Sequence, residues 1–228
     1  GGETISVSMD ENFEITEDSI LSAINNGVKI VFLTSPNNPT GRLIDKDFVS
    51  KILQKDVLVI VDEAYYEFSG KTCIDLIDDY SNLVILRTFS KWAGLAGMRI
   101  GYGIMNPSLV SHLLIIKPPY NISVAAEIAV KASLDDLELL LERVEIIKNE
   151  REWMFDRLSE IPFMEPIPSD ANFILTKIVN LESVELYNRL LSKGILVRYY
   201  ENELLKNYLR ISIGSREQNQ KLLDFIKQ

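Results

Sequence analysis

Leu83-Val84-Ile85-Leu86-Arg87-Thr88-Phe89-Ser90-Lys91 is the stretch that decides the fold. Its four leading apolar residues read as a strand covered on both faces. A lysine just past the C-terminal end of such a strand lies at the edge where open α/β sheets bind ligands. Working outward, Val57-Leu58-Val59-Ile60-Val61 is a second continuous apolar run, and it ends at Asp62-Glu63-Ala64-Tyr65. Residues 29–33 and 99–105 give two more strands, and Thr4-Ile5-Ser6-Val7-Ser8-Met9 reads as an opening one. Helices fall between them. Thr16 caps one that carries Ile20, Leu21 and Ile24 on one side and stops at Gly27. Asp45 caps another, with Phe48, Val49, Ile52 and Leu53 at helical spacing. Strands alternating with helices predict an α/β fold with a mostly parallel sheet and flanking helices.

The pattern changes beyond Pro118-Pro119. Leu137, Leu140, Leu141, Val144, Ile147, Met154, Phe155 and Leu158 trace one long amphipathic helix, interrupted on that face near Arg151. After Pro162, Pro166 and Pro168 the chain reads as a short α+β unit. It consists of a strand at 173–178, a helix at 184–191 stopped by Gly194, strands at 195–199 and 209–213, and a final helix. The expected division is therefore a large α/β domain, 1–145, and a smaller C-terminal α+β domain, 146–228.

Composition narrows the function. A chain of 228 residues, 46% apolar, can bury a real core. Its net charge of −9 argues against nucleic acid and anionic membrane surfaces as partners. Cys73 is the sole cysteine and His112 the sole histidine, so no Cys/His metal site can be assembled, and no metal is expected. A lone cysteine fits a reducing compartment, and no apolar run reaches the roughly 20 residues that span a bilayer. Cytoplasm is the expected location. Cys73 has no base near it in sequence, and His112 lies among Val110, Leu113 and Leu114, so neither is read as catalytic.

Three successive strands deliver polar residues at their C-terminal ends: Asn38, then Asp62 and Tyr65, then Thr88, Ser90 and Lys91. Taken singly these are ordinary: Asn-Pro-Thr-Gly is a common turn, and Asp at a strand end is a common cap. Taken together at one sheet edge they describe a site. Two hydroxyls (Thr88, Ser90) and a guanidinium (Arg99) are groups that hold a phosphate dianion. A lysine beside a bound phosphate fits a Schiff base to a phosphorylated aldehyde, pyridoxal 5'-phosphate (PLP). Asp62 would keep the pyridine nitrogen protonated, Tyr65 and Asn38 would donate to the ring's phenolate oxygen, and Lys91 would serve as nucleophile and general base.

Ser35-Pro36-Asn37-Asn38-Pro39-Thr40-Gly41, Asp62-Glu63-Ala64-Tyr65-Tyr66-Glu67-Phe68, and Arg87-Thr88-Phe89-Ser90-Lys91 with Ala96-Gly97-Met98-Arg99-Ile100-Gly101 resemble the fold-type I, class I/II aminotransferases. Within that group the sequence is most similar to the histidinol-phosphate aminotransferases, as Leu209-Arg210-Ile211-Ser212-Ile213-Gly214 also indicates. The resemblance covers essentially the whole chain. It implies the fold-type I PLP-transferase architecture and transamination between L-histidinol phosphate and 2-oxoglutarate (or glutamate) in histidine biosynthesis. It also implies a homodimer. Arg210 matches the arginine that grips the substrate's acidic end, and Arg198 one that helps bind the substrate phosphate. Asn38 matches a substrate-facing residue, and Asn172 and 119–123 match positions near the site. The same resemblance implies a preceding segment with a glycine-containing phosphate loop, a ring-stacking aromatic and a tyrosine reaching the partner subunit. The chain opens without Met, so it is expected to be the latter part of a longer one. A threonine-phosphate decarboxylase-like lyase, another class I/II aminotransferase and a non-catalytic PLP-fold sensor domain are the alternatives.

Overall fold

A computed structural model describes residues 2–227. The chain runs through α1 (Glu17–Asn25), β1 (Ile30–Thr34), α2 (Lys46–Leu53), β2 (Leu58–Asp62), α3 (Tyr66–Ser69), β3 (Leu83–Thr88), β4 (Gly101–Met105), α4 (Pro107–Ile116) and α5 (Val124–Asp135). It continues through α6 (Leu137–Ser159), β5 (Met164–Pro166), β6 (Phe173–Ile178), α7 (Ser183–Ser192), β7 (Arg198–Tyr199), β8 (Tyr208–Ser212) and α8 (Arg216–Ile226). Two compact units form. One comprises Gly1–Ser35, Ile44–Ala64 and Lys71–Ala132, the other Pro36–Leu43, Tyr65–Gly70 and Ser133–Gln228. They interleave in sequence where a division at 145/146 is a single cut. Two short segments that follow β1 and β2 account for this. The carbonyl of Gly41 accepts from the amide of Asp170, and the Tyr65 ring meets Phe173 edge-on at 5.2 Å.

The first unit holds a four-stranded sheet in the order β1-β2-β3-β4. β1, β2 and β3 are parallel, and β4 runs antiparallel to β3. Val59, Val61, Leu83 and Ile85 are fully buried, as continuous apolar strands require, against Val49 and Ile52 of α2. Both expected caps form: Thr16 Oγ1 accepts from Ser19 N, and Asp45 Oδ1 accepts from Asp47 N at 2.7 Å. The expected opening strand at 4–9 does not form. Alternation makes a strand only where a neighbour completes the hydrogen-bond ladder, and residues 4–9 pair with no strand among the described residues.

The second unit holds an antiparallel sheet ordered β5-β6-β8-β7. Met154 and Leu158 of α6 pack with Ile174, Leu190 and Leu209, all fully buried. The hydroxyl of Ser215 and the amide of Gln218 close a capping box at the start of α8. The strand expected at 195–199 shrinks to Arg198–Tyr199, because the amides of Gly194 and Ile195 turn back to the carbonyls of Leu191 and Leu190 and finish α7 first. Among the described residues no helix is long and apolar enough to cross a membrane.

Candidate active site

In the first unit the ladder register pairs Thr34 with Asp62 and Asp62 with Leu86, at the C-terminal ends of three parallel strands. Side chains alternate along a strand, so Thr88 shares the face of Leu86 and therefore of Asp62. Asp62 and the lysine-bearing turn are thus brought to one end and one face of the sheet. Asp62 is half-buried, and its Oδ1 accepts from the amide of Ala64 at 3.0 Å. Beyond Thr88 the turn is anchored by buried Phe89, whose ring packs on Trp92 and Tyr102 at 5.6 Å. Its amide donates to the carbonyl of Ile100, and its carbonyl accepts from the amide of Leu95. Lys91 is thereby held on a fixed loop, with its side chain exposed.

The hydroxyls of Thr88 and Ser90 lie 2.9 Å apart, and Ser90 N donates to Thr88 Oγ1 at 3.1 Å. Gly101 is the ladder partner of Thr88, and Arg99 precedes that pairing by two residues. Arg99 adopts a left-handed backbone (φ 54°), and its Nη1 donates to the carbonyl of Ala96. Glycine is needed at 101: a Cβ there would stand 2.6 Å from the carbonyl oxygen of Arg87.

The opposite face of the same strand ends carries a charge pair that sequence reasoning passed over. Arg87 Nε and Nη2 donate to Glu63 Oε2 at 3.0 and 2.8 Å, with side chains only 8% and 1% exposed. Thr72 Oγ1 donates to the Glu63 carboxylate, and Cys73 N donates to it at 2.7 Å. Burial alone would weaken the hold of Arg87 on its proton. The Glu63 carboxylate, with Tyr102 opposite in the ladder, more than offsets this and raises its pKa. The signal in the sequence was an arginine directly after Leu83-Val84-Ile85-Leu86, where a charge must find a buried partner. Burial, with Glu63 nearby, pushes the Cys73 thiol up to about 11, which leaves it unreactive.

In the second unit Arg198 and Arg210 sit directly opposite each other in the β7–β8 ladder. Like charges so placed repel unless an anion lies with them. Among the described residues neither has a carboxylate partner, and Arg210 Nε is buried without a hydrogen bond. The Arg210 guanidinium stacks over Phe173 at 4.9 Å, and its Nη1 donates to Asn38 Oδ1 at 2.6 Å. That bond leaves the Asn38 amide nitrogen to donate elsewhere. Phe173 joins Arg210 to buried Tyr65, so Asn38, Tyr65 and Arg210 form one cluster. Asn172 is half-buried, and its carbonyl accepts from Ile213 N. Tyr120, in the 119–123 loop, is 95% exposed. His112 lies on α4 with Nδ1 2.7 Å from the carbonyl of Ser108. Among the described residues no cluster of three or more His, Cys, Asp or Glu could hold a metal ion.

The donor set of the first unit fits a phosphorylated pyridoxal: two adjacent hydroxyls and a guanidinium for the phosphate, a carboxylate for a ring nitrogen, and a primary amine for an aldehyde. The second unit offers two guanidiniums without counter-ions, which fits a small organic anion.

Known proteins share this chain's sequence pattern and fold. The chain is 43% identical over 222 residues to a histidinol-phosphate aminotransferase of Dehalococcoides mccartyi, covering 97% of this chain and 62% of that protein. It is 41% identical to the chloroplastic histidinol-phosphate aminotransferase 1 of Arabidopsis thaliana, covering 100% of this chain and 55% of that one. The chain therefore spans about six-tenths of the length of the curated relatives it matches. Among solved structures, the histidinol-phosphate aminotransferase of Clostridium acetobutylicum matches with a TM-score of 0.89 at 33% identity, covering 96% of this chain and 69% of that one. That of Sinorhizobium meliloti, in complex with pyridoxal-5'-phosphate, matches at 0.87 and 26% identity over 100% of this chain and 65% of that one. The model of the aminotransferase class I and II family matches residues 1–226, and the chain belongs to that family.

Proposed function

We propose that this chain is the PLP- and substrate-binding part of a histidinol-phosphate aminotransferase, exchanging an amino group between L-histidinol phosphate and 2-oxoglutarate. The observation that carries the reaction class is the strand register that sets Asp62 and the Thr88–Lys91 turn at one end of adjacent parallel strands. The opposed Arg198 and Arg210, with relatives of that name at 41–43% identity, support the substrate.

When bound, PLP supplies an electron sink for chemistry at the substrate's α carbon. Lys91 Nζ would be the nucleophile toward the aldehyde of bound PLP and would serve as the base for the substrate's α proton. Asp62 holds a proton on the ring nitrogen. Tyr65 and the amide nitrogen of Asn38 donate to the ring's phenolate oxygen. Thr88, Ser90 and Arg99 hold the cofactor phosphate. Arg210 and Arg198 take the substrate anion, with Asn38 orienting Arg210 through its Oδ1 contact. The buried Glu63–Arg87 pair keeps the two strand ends in register, so that carboxylate and amine are presented at a fixed spacing.

A homodimer is part of this proposal. Supporting it, the first unit leaves Ile115, Ile116 and Tyr120 exposed by 82%, 76% and 95%. Lone, buried Cys73 is in keeping with a reducing compartment such as the cytoplasm. Incubating the protein that carries this chain with PLP, L-histidinol phosphate and 2-oxoglutarate tests the function. Glutamate forms if the proposal is right; glutamate absent here but formed from another amino donor would reassign the substrate.

A further inference from the structure

Beside the opposed arginines stands a phenol that neither the ladder nor the core requires. Tyr200 directly follows β7, is half-buried, and has its ring under the Arg198 guanidinium at 5.6 Å. Among the described residues no hydrogen bond engages its hydroxyl. Burial raises its pKa, which the charges of Arg210 and Arg198 only partly offset, so the phenol stays a protonated donor at neutral pH. Arg198, which this ring faces, is in turn the direct ladder partner of Arg210.

Oxygen counting then separates two kinds of anion. A carboxylate offers two oxygens, and one guanidinium fork satisfies both. A phosphate monoester dianion offers three terminal oxygens, each able to accept more than one hydrogen bond, so it can still use a neutral donor after two forks are in place. A phenol beside two arginines can supply it without adding charge. We infer that Tyr200 is a phosphate-selective binding residue, completing with Arg198 and Arg210 a cradle that a phosphate monoester fills and a carboxylate does not. This rests on the reading of the two arginines as the substrate-anion site given above. Nothing in the strand pattern around Tyr199-Tyr200 marks the second tyrosine for this task.

The test compares wild type with Tyr200→Phe, which keeps the ring beneath Arg198 and removes one hydroxyl. Dissociation constants for inorganic phosphate and for glutarate are measured by calorimetry on protein saturated with PLP, so that the cofactor's phosphate site is filled. Phosphate binding weakens roughly ten- to hundredfold, the scale of one hydrogen bond to a charged group, while glutarate binding stays within about twofold. An unchanged phosphate constant, or equal weakening of both anions, overturns the inference. Arg210→Lys is the contrast, weakening both. Turnover of histidinol phosphate is scored separately. Its absence together with a selective phosphate loss would strike the substrate reading and leave the role of Tyr200 standing.

Discussion

Glu63→Gln removes one charge from the buried pair at the ends of β2 and β3 and alters almost nothing else. Glutamine has nearly the same shape and keeps an acceptor for the amide of Cys73. What it loses is the counter-ion of Arg87, whose side chain is 8% exposed and cannot turn to water. At the observed 2.8 Å and an effective dielectric near 20, the lost attraction is about 6 kcal/mol. Hydrogen bonds to glutamine and local relaxation return part of it, leaving a net cost of about 3–5 kcal/mol, as for other buried pairs that lose one partner. Adding Arg87→Met removes the stranded cation, so the double variant regains ~1.5 kcal/mol or more relative to Glu63→Gln alone. The assay is urea unfolding read by fluorescence. Trp92 lies in the first unit and Trp153 in the second, so a Trp153→Phe background reports the first unit alone. The midpoint falls at constant slope. A cost below about 1 kcal/mol, or a double variant worse than either single one, refutes this account of the pair.

Two further outcomes follow from local geometry. Gly101→Ala places a methyl 2.6 Å from a backbone oxygen of β3 and costs about 1–3 kcal/mol in the same assay. Gly103→Ala is crowded only by the flexible end of Met105, its contacts with Leu86 and Ile85 being at ordinary distance, and costs less than about 1 kcal/mol; equal costs would be against this reading. In the second unit the Arg216 hydrogen bond, with Asn219, holds the Glu150 carboxyl below its ordinary value. A lowered folded-state pKa gives stability that is present above the unfolded value and lost as pH falls through the folded one. Glu150→Gln is therefore less stable than wild type at pH 7, and the gap narrows as pH falls below the ordinary glutamate value of ~4.3. Trp153 fluorescence reads it, since Arg216 stacks on that ring at 3.9 Å. A gap that does not change with pH would contradict the assignment.

The β2 and β3 core was legible because buried strands write themselves as unbroken apolar runs, and these two runs lead into Asp62 and Thr88. The helix starts at Thr16 and Asp45 were legible because a cap is a local bond. What escaped was non-local. The run 4–9 has a strand's composition and no partner. Residues 36–43 and 65–70 join the second unit through contacts with Asp170 and Phe173, more than a hundred positions away, which no periodicity announces. Glu63 and Arg87 stand within recognisable motifs, but their pairing depends on strand order and face. Arg198 and Arg210 were each singled out, yet only the antiparallel register shows them directly opposed.

The proposed chemistry turns on one amine, that of Lys91 beyond the end of β3. The protein is loaded with PLP, reduced with borohydride and digested, and the mass of each lysine-bearing peptide is measured. The predicted result is a single pyridoxyl group, on Lys91, absent from Lys91→Ala. The same group fixed to a different lysine, or retained in Lys91→Ala, would contradict the assignment on which the proposed chemistry stands.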